Sequence, residues 1–157
     1  MSEAGDITLS RLQGCDLDHL EALYAEERPL LLPVGCFRGV HLAWLNTAGA
    51  RNPLIRPLQH LGFRLLPFGV DFDARRWFFF RRELGVGRFV ARTGQSWWRE
   101  TDTIRLHYDV SRLPPFVRNL LYDEVKPLSA SLYLGLGGTN APRGRGDHFF
   151  FALVAGE

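Results

Sequence analysis

Two side chains in this sequence could handle a proton for another molecule, His107 and Tyr133. An imidazole titrates near neutral pH, and a phenol can donate or accept a hydrogen bond at a reacting atom. His107 sits in a run of clean alternation, with Thr103, Arg105, His107 and Asp109 on one parity and Ile104, Leu106, Tyr108 and Val110 on the other. Two orientations of that strand are open. In one, the polar parity faces water and the apolar parity fills a core. In the other, Arg105 and His107 project into a polar-lined cavity, where the guanidinium could pair with a ligand carboxylate.

Other chemistries find little support. His19, His41, His60, His107 and His148 show no i,i+2 or i,i+4 pair, and Cys15 and Cys36 have no partner at metal-ligand spacing. No metal and no cofactor are therefore expected, and the thiols are expected to be reduced. There is no Gly-x-Ser-x-Gly elbow and no phosphate-binding loop. Gly135-Leu136-Gly137-Gly138 ends a strand without the helix that dinucleotide binding needs, and Arg145-Gly146-Asp147 reads as a plain turn.

What must position these residues is a single domain of 157 residues, 46% hydrophobic and 13% aromatic. That is enough apolar surface to fold alone. No apolar run reaches the roughly 18–20 residues of a membrane span, and MSEAGDITLS lacks the pattern of a signal peptide, so the chain reads as cytoplasmic. Its net charge of +2 is uneven, because residues 1–28 hold seven acids against Arg11 and Arg28. Lys126 is the single lysine among 19 basic residues, and the arginines form no stripe. Nucleic acid is not an expected partner.

Leu17, Leu20, Leu23 and Tyr24 place an amphipathic helix over residues 16–27, capped by Asp16 and ended by Pro29. A strand follows from Pro33, with Gly35 and Gly39 allowing it to coil sharply and to accept the N-terminal helix closely. Asn52, Pro53 and the leucines at 54, 58, 61 and 65 predict a short helix over 52–66. Strands are then expected at 75–82, 86–93, 96–110, 129–136 and 148–155. The segment LPPFVRNLLYDEVKP between them reads as one or two helical turns or an irregular crossover. The expected fold class is mainly β, a coiled or closed antiparallel barrel of about 7–9 strands with an N-terminal helix and a helix after the first strand.

Gly35-Cys36-Phe37-Arg38-Gly39, followed by Asp123-Glu124-Val125 and Leu132-Tyr133-Leu134-Gly135-Leu136, resembles the pattern of the calycins. Lipocalin-like and fatty-acid-binding-like barrels carry Gly-x-Trp-x-Gly on the first strand after an N-terminal helical element. Phe37 stands where the Trp would be. The resemblance implies a small bacterial barrel that binds a hydrophobic molecule, lipid-like, terpenoid or polyketide-like. It also implies interior polar anchors of the kind Arg105 and Tyr133 could supply.

Phe37, Trp77, Phe79, Trp97, Arg105, His107, Tyr133 and Phe150 are the expected ligand-lining residues. An isomerase or cyclase working in the same cavity through His107 or Tyr133 is the alternative. Neighbouring aromatics such as Phe78 and Phe79 must point to opposite faces, so one set faces outward and needs cover from helices or from a second copy in a homodimer.

Overall fold

A computed structural model describes residues 7–45, 66–118, 121–139 and 148–156. Thr8 and Asp16 each turn an oxygen back onto the amide three residues on, and so start two helices, α1 (Leu9–Gln13) and α2 (Leu17–Ala25). The chain then runs through β1 (Cys36–Leu45), β2 (Phe68–Asp71), β3 (Arg76–Phe79), β4 (Gly85–Arg88), β5 (Val90–Gln95) and β6 (Asp102–His107). A single-turn helix α3 (Pro115–Arg118) leads into β7 (Leu121–Pro127), β8 (Leu132–Thr139) and β9 (His148–Ala155). The helix expected over 52–66 and the turn around Arg145 lie outside the described residues.

Every strand pair is antiparallel, and the sheet order is β4-β3-β2-β1-β9-β8-β7-β6-β5. Its two edges are the two halves of one run, residues 85–95, joined at Phe89. The first half pairs with β3 and the second with β6. The sheet thus curls into a nearly closed antiparallel barrel, the mainly-β class expected from the alternation.

Alternation sorts the side chains into two cores. Phe37, Val70, Ile104, Leu106, Val125, Tyr133, Phe151 and Leu153 fill the barrel. Leu132, Leu134, Leu136, Phe150 and Ala152, from the opposite parity of β8 and β9, meet Leu12, Leu20 and Tyr24 of the helices on the outside. The helices thus cover Phe150, while Phe80 and Trp97 stay exposed. β1 changes register between His41 and Ala43, so that Trp44 joins Phe149 on the inner face.

Several expected boundaries move. β2 lies outside every expected strand, being only four residues long. The run 96–110 is a strand only over 102–107, because residues 96–101 fold into a turn held by Ser96. The crossover read after Pro115 is α3 followed by a full strand, β7. Gly39 does not receive the N-terminal helix: its empty side faces Phe68, whose ring would lie 1.9 Å from a Cβ there.

Candidate functional site

Burial is uneven along the inner face of the barrel. Phe37, Val70, Ile104, Val125 and Leu153 are buried, whereas Trp44, Trp77, Phe79, Leu121 and Asp123 keep part of their surface although they share the inner face. Trp44, Leu121 and Asp123 lie toward the end where β1 finishes and β7 begins, while Trp77 stands level with Val70 and Phe37 and reaches Asp123 through Tyr108.

Asp123 is a carboxylate on this inner face, flanked on its parity by Leu121 and Val125. Gly137 on the neighbouring strand leaves room for it, since a Cβ there would lie 2.4 Å from Asp123 Oδ1. Tyr108 donates its hydroxyl hydrogen to Asp123 Oδ2 and accepts one from Trp77 Nε1. The result is a polar chain, indole to phenol to carboxyl, set among aromatic rings. Burial pushes the Asp123 carboxyl up to about 7, against the Tyr108 hydrogen bond that favours the anion and with help from nearby Glu124. Burial also raises the Tyr108 phenol well above its ordinary value. A carboxyl poised near neutrality can hold or release a proton beside a bound molecule.

This carries a stability signature. The folded protein holds the Asp123 proton to about pH 7, whereas an unfolded aspartate releases it near 3.8. The stabilising contribution is therefore complete below pH 4 and is lost as the pH rises toward 7. Asp123→Asn removes that slope. From pH 4 to pH 8 the wild type should lose roughly 2–4 kcal/mol relative to the variant, read from denaturant midpoints. Parallel curves for the two proteins would place the Asp123 carboxyl at its ordinary value.

The residues expected to line the site divide evenly. Phe37, Trp77, Phe79 and Tyr133 face the interior, with the Tyr133 ring edge-on to Phe37 at 5.3 Å. Trp97, Arg105, His107 and Phe150 lie on the outer face. The Arg105 guanidinium rests 4.4 Å over the Trp97 ring, and Trp97 stacks on Tyr122 at 4.2 Å. Phe150 packs against Tyr24. On the 102–107 strand the apolar parity fills the core, the first of the two orientations, because Ile104 and Leu106 pair with β7 residues of the inner face. Burial, with the Arg105 charge, holds the His107 imidazole below its ordinary value.

Asp123 and Tyr108 carry the interior polarity instead. Had residues 121–127 been read as a strand, the shared parity of Leu121, Asp123 and Val125 would have marked the carboxylate as inward.

Outside the barrel, α2 seals a second polar cluster. Glu124 is fully buried and accepts from Tyr24 Oη at 2.8 Å, from Ser96 Oγ and Tyr122 Oη, and from the Trp97 amide at 3.3 Å. Lys126, also fully buried, donates to the Glu26 carbonyl at 2.8 Å and to Thr101 Oγ1. Arg99 and Glu21 close the rim through a 2.6 Å contact.

Cys15 and Cys36 are free thiols, and no group of three or more metal-ligating side chains converges among the described residues. No helix there is long and apolar enough to cross a membrane.

No protein-family model and no curated relative matches the chain. Among solved structures it is similar to a crystal structure of a protein from Thermomonospora curvata, at 18% identity, with 91% of this chain and 89% of that chain covered and a TM-score of 0.47.

Proposed function

We propose that the protein binds a small apolar molecule inside the barrel, lipid-like, terpenoid or polyketide-like, in the manner of calycin-type carriers. The observation that carries this reading is the set of inward aromatic side chains that keep accessible surface, Trp44, Trp77 and Phe79, on the same inner face as one carboxyl, Asp123, which Tyr108 links to Trp77. Apolar area removed from water contributes about 25 cal/mol per Å², so such a ligand needs only an anchor or two for orientation. Asp123 and Tyr108 supply them.

Native mass spectrometry of the purified protein, before and after incubation with an excess of a neutral terpenoid, tests the proposal. The expected result is a one-to-one adduct that returns the compound unchanged and weakens when Trp77→Ala enlarges the wall. Failure to take up any apolar compound overturns it. The same spectrum reports whether exposed Phe80, Trp97 and Phe116 bring two copies together.

A second reading, an isomerase or cyclase acting on an apolar substrate, is favoured by the Asp123 carboxyl poised near 7. Asp123 and Tyr133 are then the acid–base candidates, since both face inward, while His107 lies on the other side of the sheet. Conversion of a bound compound by the wild type but not by Asp123→Asn would favour this reading over simple carriage.

A further inference from the structure

The barrel has a seam, and the seam holds a pocket. Among the described residues, the edge of β4 that faces away from β3 pairs with no strand, and residues 111–113 border the same pocket. Between them is a space of about 280 Å³ whose wall carries Arg76, Arg88 and Arg112 together with Ser111. Arg76 and Arg88 stand opposite each other in the register of β3 and β4. Like charges placed directly across a strand pair repel, a cost that an anion between them would reverse.

The pocket is built around these cations. The Arg76 stem crosses Gly85, where a Cβ would lie 2.4 Å from Arg76 Cδ, so any larger residue at 85 would displace the guanidinium. Arg76 Nε is buried with no hydrogen-bond partner among the described residues, although a terminal nitrogen donates to the Arg82 carbonyl at 3.2 Å. Asp71, the carboxylate whose charge reaches Arg76, is already engaged by Arg82 Nε at 2.6 Å. Arg88 and Arg112 are exposed and have no ion-pair partner among the described residues. Three arginines therefore line one pocket, one with an orphaned donor and only a share of Asp71, and two with no ion-pair partner among the described residues. Beneath them, the empty side of Gly87 lies 3.7 Å from the Tyr108 ring and 4.0 Å from Trp77, the two residues linked to Asp123.

We infer that this seam pocket binds the anionic head, a carboxylate or a phosphate, of an amphipathic molecule whose apolar part lies inside the barrel against Trp77 and Tyr108. The inference deepens the barrel-binding proposal and rests on it for the apolar half alone.

Calorimetric titrations of the wild type and of Arg88→Gln/Arg112→Gln separate the halves. Both sites are exposed, so the fold should survive, and matched melting curves check this. The ligands are dodecanoate, dodecyl phosphate, 1-dodecanol and inorganic phosphate. The wild type should prefer the two anionic amphiphiles to the alcohol by about tenfold or more, the size expected of charge-assisted hydrogen bonds, and the double variant should lose that preference while keeping its affinity for dodecanol.

Equal binding of anion and alcohol by the wild type, or a preference untouched in the variant, overturns the inference and leaves the barrel reading standing. If no chain-bearing ligand binds, the barrel reading fails. Inorganic phosphate then decides the pocket: binding that the double variant abolishes retains an anion site, and no binding removes it.

Discussion

Glu124→Ala should cost the protein about 3–5 kcal/mol, the range for stripping one member from a buried charged network. The carboxylate has no exposed surface, and both oxygens are in use. Removing it leaves the hydroxyls of Ser96 and Tyr122 as buried donors without their acceptor and Tyr24 with Thr103 Oγ1 alone, a loss that water cannot repair beneath a docked helix. The damage should spread, because Tyr24 ties α2 to the barrel and Ser96 organises the turn that carries Trp97 and Trp98. Glu124→Gln keeps the shape and one acceptor oxygen and should cost less than half as much. Urea unfolding followed by tryptophan fluorescence measures both. An Ala variant within about 1 kcal/mol of the wild type would mean that the cluster is hydrated and α2 only loosely held.

Gly135→Val should be nearly as severe, at about 3 kcal/mol or more, and for the opposite reason. A Cβ at 135 would stand 2.1 Å from the Phe151 ring. Ordinarily a ring edge can swing away. Phe151 cannot, because it is fully buried and wedged edge-on against Trp77 and Phe68 at ring separations of 5.8 and 6.1 Å. The absent side chain is the space the aromatic ring occupies, so any substituent must push the filling out of the barrel. Gly94→Ala is the control. Its nearest neighbour would be Arg105 Cδ at 3.9 Å, so a methyl group there should be neutral or slightly stabilising. Thermal unfolding of the two variants should differ by roughly 6–12 °C for a domain of this length, and similar midpoints would refute the close approach of Phe151.

Both cases show where sequence reasoning reaches and where it stops. Period-two alternation in residues 102–107 and the aromatic-rich apolar run 148–155 mark strands with two sets of faces, because side chains on a pleated strand can point only two ways. Asp16 marks its helix start by the same local logic, its oxygen meeting the His19 amide. Local chemistry cannot say which face is inside. Arg105 and His107 look equally suited to a cavity and to an outer surface until the partner strand is known. Ile104 across from Val125 then sends them outward, and Arg105 settles on Trp97.

Residues 115–127 were harder still. Pro114, Pro115 and the charged run Asp123-Glu124 weaken the alternation that marks β7, and a strand supported on both sides by β6 and β8 needs little propensity of its own. With β7 unread, the inward Asp123 and the outward Glu124, adjacent in the chain and opposite in role, could not be told apart. The sequence alone determined most of the elements, though not β2 or β7, and the alternation within them, since these depend on neighbours a few residues away. Only the closing of residues 85–95 onto both β3 and β6 decided the interior, because burial of one face against the other is a property of strands that meet across the whole length of the chain.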